Sequence, residues 1–154
     1  MAGTLTPERT AQRLCELSAD ARAAVLLDAA GALAGAHGVD DGDELAGLVR
    51  DLFEAVDRAN RDIPGGPPEQ VEAQVEGGAV YASRTPRWTL AVVARRNALS
   101  SLMLMDLRAV LGELEVGHTI RRRTAAEAAA ASGPATEQDA ASESPVPELG
   151  VDRQ

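Results

Sequence analysis

The chain has 154 residues, a formal net charge of -9 and a sequence pI of about 4.7. This length suits one domain with its own core plus a terminal tail. The acidic balance argues against nucleic acid or an anionic membrane surface as the main partner, and it favours protein partners. Because all 15 basic residues are arginine, P-loop phosphate binding and Schiff-base chemistry with pyridoxal phosphate are excluded, since both need a lysine.

The single cysteine and the N-terminus bear on the cellular compartment. Cys15 has no second cysteine with which to form an internal disulfide, and MAGTLTPERT lacks the basic and apolar segments of a secretory signal. The longest weakly polar run, residues 23–36, is interrupted by Asp28 and is too short to span a bilayer. We therefore expect a cytoplasmic protein without membrane insertion.

The first predicted element is a short helix. Thr6 can cap it, Pro7 is tolerated in the first turn, and Glu8 favours the positive helix end. The helix should run to about Leu17 with a modest apolar stripe. Cys15 lies in that stripe and is interpreted as a packing residue, because a reactive thiolate needs a nearby cationic or basic group.

Two short apolar runs then predict an opening hairpin. Residues 23–27 form the first strand, Asp28 to Gly31 have turn chemistry, and residues 32–36 form the second strand. The second strand is made of small residues with weak strand propensity. We expect it to be an outer strand that another element crosses closely.

An acidic segment follows, from His37 to Glu44. A calcium loop of the EF-hand type needs oxygen ligands at alternating positions and a distant glutamate, and that spacing is absent. We interpret the carboxylates as a cap for the next helix, a contribution of about 0.5–2 kcal/mol.

The segment from Glu44 to Ala59 has the strongest helical periodicity in the chain. One face of the predicted helix is charged, and Glu54 and Arg58 on that face have i,i+4 spacing. The apolar residues predicted to share one face are Leu45, Leu48, Val49, Leu52, Phe53 and Val56. A Pro/Gly-rich link, residues 63–68, ends the helix.

A three-stranded meander is predicted from Val71 to Arg96. Residues 71–76 alternate apolar and polar, which indicates an outer strand, and Gly77-Gly78 is expected to form the hairpin turn. A second strand covers residues 79–83, and Pro86 interrupts it. Residues 88–94 are apolar on both faces, so this strand should lie in the middle of the sheet.

A third helix is predicted from about Asn97 to Leu114. Its expected main face comprises Leu99, Leu102, Met103, Asp106/Leu107, Val110, Leu111 and Leu114. Leu104 and Met105 widen the apolar surface, as core filler or as an interface. The triplet Arg121–Arg123 suits a helix C-terminus. Residues 124–154 read as a tail, because their composition beyond Gly133 cannot bury enough apolar surface to fold alone.

The order helix-strand-strand-helix-strand-strand-strand-helix resembles the Roadblock/dynein light chain family, which is related to longin domains. The matching features are AAVLLDAAGALAGA, the helix from Glu44, VEAQVEGGAVY, WTLAVVA and the closing helix. They cover roughly residues 7–114. The resemblance implies an α+β fold with a five-stranded antiparallel sheet, one helix on one face and two on the other. We assign residues 1–118 to a Roadblock-like domain and residues 119–154 to a flexible, disordered C-terminal tail.

The resemblance also implies partners. Family members commonly dimerise through the middle helix and the adjacent edge strand, and bacterial members often regulate a Ras-like small GTPase or scaffold its complex. The candidate dimer interface in this chain comprises Leu48, Leu52, Phe53, Val56, Glu72, Gln74 and Glu76. The apolar surplus on the third helix marks a candidate partner surface at Leu104, Met105 and Arg108. No residue matches a known GTPase-contacting position, so the partner assignment depends on the family.

Two other classes of function are alternatives to this interpretation. A small-molecule-sensing or purely structural domain of the profilin, PAS or GAF type could share this architecture, but only one Phe, one Trp and one Tyr are available to line a pocket. An enzyme needs a convergent acid, base or nucleophile. His37 and His118 are predicted to be solvated, in a linker and at a frayed helix end. We therefore predict a non-enzymatic protein with no catalytic residue, cofactor or metal.

Overall fold

A computed structural model describes residues 3–133. Within these residues, three helices and five strands follow one another in the predicted order. Their bounds are α1 Pro7–Leu17, β1 Ala21–Leu27, β2 Leu33–His37, α2 Gly42–Ala59, β3 Gln70–Val75, β4 Gly78–Arg84, β5 Thr89–Arg95 and α3 Ser100–Ala131.

The five strands form one antiparallel sheet in the order β2-β1-β5-β4-β3. The apolar strand β5 lies in the middle, as its lack of a polar face predicted. The alternating strand β3 lies at one edge, also as predicted. At the other edge, Gly35 of β2 lies under α1, where an added Cβ would be 2.5 Å from the carbonyl oxygen of Pro7. The predicted close crossing of this strand is confirmed.

The helices are divided between the two faces of the sheet. α1 and α3 pack on one face around a core that includes Leu14, Tyr81 and Leu107. α2 packs alone on the other face around Val25, Val49 and Phe53. The predicted α+β fold, with one helix on one face and two on the other, is confirmed.

Local capping and turn chemistry set two of the element boundaries. The Asp28 carboxylate accepts hydrogen bonds from the backbone N–H groups of Ala30 and Ala32, at 2.9 Å each, and Gly31 has φ of 81°. The Asp41 carboxylate accepts from the N–H of Glu44 at 3.1 Å and caps α2. Both interpretations from sequence are confirmed.

The hairpin between β3 and β4 turns one residue earlier than predicted. Val75 pairs with Gly78, so the two turn residues are Glu76 and Gly77, and Gly77 has φ of 83°. Gly78 instead begins β4, where an added Cβ would be 2.6 Å from the carbonyl oxygen of Ala94. The close approach of β5, which sequence reasoning did not anticipate, explains the second glycine.

The buried face of α2 is narrower than its apolar stripe. Ala46, Val49 and Phe53 are buried, whereas Leu48 is 60% exposed. Leu45, Leu52 and Val56 are half-buried. The six large apolar residues predicted to share one face of α2 are thus buried to different degrees, because the sheet covers only part of that stripe and leaves Leu48 exposed.

α3 is longer than predicted and continues from Ser100 to Ala131. The triplet Arg121–Arg123 therefore lies inside the helix, and the last turn contains no basic residue. Leu99 and Leu102 are exposed, so they do not belong to the buried face. The residues of α3 that are buried are Met103, Leu107, Val110, Leu111, Leu114 and Gly117.

The predicted domain boundary at residue 118 falls within α3 and stays a prediction. The part of the predicted tail from Pro134 to Gln154 lies outside the described residues. Within residues 3–133, no helix combines the length and the hydropathy that a membrane crossing requires.

Candidate protein interaction surface

The edge strand β3 has backbone groups that are not paired within the sheet. In a two-residue hairpin the residues flanking the turn exchange both backbone hydrogen bonds, and such pairs alternate along the ladder. Val75 and Gly78 flank this turn, and the N–H of Arg84 donates to the Glu69 carbonyl at 2.8 Å, in the same alternation. The N–H and C=O groups of Gln70, Glu72 and Gln74 therefore point away from β4, toward the open edge.

The polar side chains of β3 lie on the α3 face of the sheet. Ser100 Oγ donates to Glu72 Oε1 at 2.8 Å, and Gln74 Nε2 donates to the same oxygen. Gln70 Nε2 donates to the Leu104 carbonyl at 3.4 Å. The predicted interface residues Glu72 and Gln74 are both exposed at this edge, and Glu76 is exposed in the adjacent turn.

The apolar side chains of β3 lie on the other face, beside α2. Val71 packs against the α2 core, and Val75 is 51% exposed. On α2, Leu48 is exposed, and Leu52 and Val56 are half-buried. An edge strand with free backbone groups and an outward-facing helix stripe thus offer apolar contact area on the same side of the sheet.

Phe53 differs from the other predicted interface residues. It is 6% exposed and belongs to the core under α2. The guanidinium carbon of Arg84 lies 4.5 Å from the centroid of its ring, which is cation–π geometry. In the single chain, Phe53 therefore packs α2 onto the sheet and does not present its ring to a partner.

Arg84 also ties the C-terminal half of α2 to the end of β4. Its Nη1 donates to Asp57 Oδ2 at 2.9 Å, its Nη2 donates to Asp57 Oδ1, and its Nε donates to the Pro68 carbonyl at 2.9 Å. These hydrogen bonds lower the pKa of Asp57. The bidentate pair holds α2 at a defined position relative to the sheet.

The predicted partner surface lies on the opposite side of β3 from α2. Leu104 is half-buried against the core, Met105 is 59% exposed, and Arg108 is exposed. They line a shallow depression of about 520 Å³ together with Gln70 and other residues of α3. The structure therefore brings these three residues together and places them next to the β3 edge.

Two features were missed at the sequence level. A depression of about 510 Å³ lies between the β1–β2 turn and α2, and Arg50 closes one side by donating to the Gly31 carbonyl. A second, basic depression of about 330 Å³ lies where the β4–β5 turn meets the middle of α3. Both depressions are formed by segments distant in sequence, so no local motif predicts them.

His118 belongs to this basic depression, and its predicted position at a frayed helix end is wrong. It is half-buried inside α3, with its ring edge-on to Trp88 at a centroid distance of 6.4 Å. Loss of solvation lowers the pKa of His118, and Arg87, Arg121 and Arg122 lower it further, while Glu115 opposes them. His37 is exposed and is the last residue of β2.

Burial raises the pKa of the Cys15 thiol, which disfavours the thiolate. Within residues 3–133, the structure brings together no group of three or more residues able to ligate a metal. The fold is that of a small α+β domain in which β3 forms an open edge of the sheet.

Comparison with known proteins agrees with this class. The sequence matches the model of the Roadblock/LC7 domain over residues 9–94. The chain therefore belongs to the Roadblock/LC7 family. Among curated proteins, no sequence matches it.

Solved structures show the same fold. A Roadblock/LC7 domain from Streptomyces avermitilis is 23% identical with a TM-score of 0.64, covering 70% of this chain and 93% of its own. Myxococcus xanthus MglB is 17% identical with a TM-score of 0.64, covering 77% and 92%. An MglB structure with a tetrameric arrangement is 18% identical with a TM-score of 0.58, covering 71% and 88%.

Proposed function

We propose that this protein is a non-enzymatic, homodimeric adaptor or regulator that binds a Ras-like small GTPase, or a multiprotein signalling complex, in the cytoplasm. The observation that carries the proposal is the open β3 edge, with the exposed Leu48 of α2 on the same side of the sheet as Val71 and Val75. Membership of the Roadblock/LC7 family supports it, because dimerisation and GTPase regulation are what that resemblance implies. The tetrameric arrangement of one MglB structure adds support for self-association.

The dimer seam would extend the sheet by pairing β3 with β3 of a second copy. Its outward backbone groups, on Gln70, Glu72 and Gln74, are those that an antiparallel partner strand requires. A twofold axis makes such a contact self-complementary. The seam would also place α2 of both subunits on one face, so that Leu48 and Leu52 bury against their counterparts.

The β3 side chains favour one register for this seam. Centred on Ala73, an antiparallel pair sets Glu72 opposite the partner's Gln74, and Val71 opposite the partner's Val75. Centred on Glu72, the same strands would set two carboxylates directly opposite each other, and centring on Gln74 would set Glu72 opposite the partner's Glu76. Because like charges directly opposite are destabilising, we expect the Ala73-centred register.

Cysteine cross-linking tests both the seam and its register. In this register Ala73 meets its own copy in a non-hydrogen-bonded pair, with Cα atoms about 4.5 Å apart, within the range that a disulfide bridges. In a Cys15→Ala background, mild oxidation should convert Ala73→Cys to a covalent dimer. Glu72→Cys is the matched control and should cross-link poorly, since it would face Gln74. Efficient cross-linking of Glu72→Cys alone would refute this register, and none at either site would refute the β3 seam.

Leu48→Glu tests the contribution of α2. The side chain is exposed in the single chain, so the monomer fold should lose little stability. In the dimer, however, the carboxylate would be buried at the α2–α2 contact. We expect at least a tenfold weaker dimer by analytical ultracentrifugation. An unchanged dissociation constant would exclude α2 from the interface.

The partner surface of the proposal is the depression lined by Leu104, Met105 and Arg108. Affinity capture from the native organism should recover a small GTPase or a multiprotein complex with the unaltered protein. Met105→Glu should reduce that recovery while leaving the dimer intact, because Met105 lies on the α3 side of the sheet. Gly112→Ala, an exposed change elsewhere on α3, is the control. Recovery of neither class of partner would contradict the proposal.

The depression between the β1–β2 turn and α2 favours a second candidate, small-molecule sensing. Its floor includes Leu27, Val49 and Phe53, and its volume of about 510 Å³ suits a small ligand. Against this reading, Arg84 covers the Phe53 ring and is itself held by Asp57. Native mass spectrometry of protein purified from its own host tests it: a bound ligand that is removed by Ala30→Trp, an exposed position lining the depression, would establish sensing, and protein free of ligand would reject it.

A further inference from the structure

The basic depression is an unusual concentration of positive charge on an acidic chain. It is lined by Arg87 from the β4–β5 turn and by His118, Thr119, Arg122 and Arg123 from α3. Arg121, one residue away, donates to the Leu5 carbonyl at 2.7 Å. The net charge of the whole chain is -9, so this surface stands out from its surroundings.

Neighbouring carboxylates neutralise only part of this charge. Arg87 Nη1 lies 3.2 Å from Glu115 Oε2, and Arg123 Nε lies 3.2 Å from Glu127 Oε1. No carboxylate in residues 3–133 lies within ion-pair distance of Arg122 or Arg121. The depression therefore keeps a surplus of guanidinium groups, which bind carboxylates in planar, often bidentate geometry.

The chain itself contains a segment of complementary charge. Residues 134–154 carry five carboxylate side chains, three of them within residues 137–143, against one arginine. Between Arg123 and Ala131 the helix rises by about 12 Å. Six residues beyond Gly133 can span up to about 20 Å, so Asp139 has enough chain to return.

We propose that the acidic segment formed by residues 137–143 folds back and docks on the basic depression formed by Arg87, His118, Arg122 and Arg123 of the same chain. The tether gives the segment an effective concentration in the millimolar range, so a few exposed ion pairs are enough to populate the contact. Docking covers the middle of α3 beside the β4–β5 turn. An acidic segment of another protein reaches the depression only by displacing the tail.

Paramagnetic relaxation measured on the full chain tests the contact directly. A nitroxide attached at Ser142→Cys, in a Cys15→Ala background, should broaden the backbone amide signals of Thr85, Arg87 and Trp88. These amides are more than 50 residues from the label in sequence, so chain connectivity alone does not bring the label close. The broadening should disappear at about 0.5 M NaCl, where screening is strong.

A matched pair of variants separates docking from chance proximity. Arg122→Gln/Arg123→Gln removes the charges of the depression and should restore the amide signals. Arg95→Gln/Arg96→Gln removes two exposed arginines from the end of β5 and the loop after it, and should leave the broadening unchanged. Equal broadening in both variants, or none in the parent, would overturn the proposal.

Two further measurements test whether the contact forms within one chain and whether the acidic residues act on His118. In a mixed sample, one set of chains carries the spin label and another set carries only the isotope label. If the isotope-labelled chains show the same broadening, the contact is between subunits and docking within the chain is wrong. Independently, Glu137→Gln/Asp139→Asn/Glu143→Gln should lower the pKa of His118 in an NMR titration, because Arg87, Arg121 and Arg122 then face it with only Glu115 opposing them. The His37 signal serves as the internal reference. No change at His118 would count against docking.

Discussion

The two edge strands of the sheet, β2 and β3, differ in how the helices cover their faces. β2 has a helix on each face: α1 crosses over Gly35, and Gly42 of α2 approaches Leu33 and Ala36 so closely that an added Cβ would lie 2.9–3.0 Å from their side chains. β3 has α3 near one face and an exposed valine on the other. The faces of β2 are thus occupied within the monomer, whereas β3 leaves apolar side-chain surface and backbone groups exposed together, a combination suited to a partner.

The largest effect is expected from disturbing the covered edge with Gly35→Ala. The new Cβ would meet the Pro7 carbonyl at 2.5 Å, so α1 must move away from β2, at a cost of about 1–3 kcal/mol. Thermal unfolding should shift down by several degrees. Gly112→Ala is the control: it is exposed, with open space around its Cβ, and should be neutral or stabilising. Equal stability of the two variants would mean that β2 is not tightly covered.

The open edge is tested by Gln74→Pro. The Gln74 N–H points away from β4, so proline at this position removes a donor from the proposed seam and none from the monomer ladder. We expect a dimer weakened at least tenfold, with unfolding of the monomer little changed. Ala73→Pro is the matched control, because the Ala73 N–H points toward Val80 and its loss should unfold the hairpin. A Gln74→Pro dimer still intact at low micromolar concentration by light scattering would place the seam elsewhere.

A smaller effect is expected at the anchor between α2 and β4. Asp57→Asn removes the charge partner of Arg84, and because the pair is partly exposed we expect a loss of no more than about 1 kcal/mol. The pKa of Asp57 is lowered by Arg84, so this stability is present above the unfolded value of about 3.9 and is lost as pH falls through the folded value. Chemical unfolding at pH 7 should therefore separate the variant from the parent, and the difference should shrink as the pH falls below the unfolded value. A difference undiminished at pH 3 would rule out the ion pair as its cause.

The smallest effect is expected at His118, remote from both edges. Its pKa is lowered in the folded protein, so the unfolded chain binds the proton more readily. The stability linked to the neutral imidazole is present above the unfolded pKa of about 6.5 and falls as pH drops through the folded value. His118→Gln should reduce the change of melting temperature between pH 7 and pH 5. His37→Gln controls for the loss of an imidazole, and the same change in both variants would contradict the assignment.

Sequence reasoning succeeded where the determining interactions are local. The turn at Asp28 and Gly31, the cap at Asp41 and the central position of β5 all follow from groups within a few residues of each other. The same holds for the polar edge of β3, since strict alternation already separates Glu72 and Gln74 from the apolar face. It also placed Leu104, Met105 and Arg108 on one surface, because helical spacing makes them neighbours.

Tertiary structure alone decided which side of each helix is covered and which distant groups meet. Apolar spacing puts Leu48 on the same stripe as Val49, but the position of α2 over the sheet buries one and leaves the other outside. The sequence alone likewise could not show that Gly78 faces the Ala94 carbonyl, or that Arg87 and His118 line the same depression. Periodicity specifies a direction around a helix or strand, whereas burial depends on what packs there, and that depends on residues far along the chain.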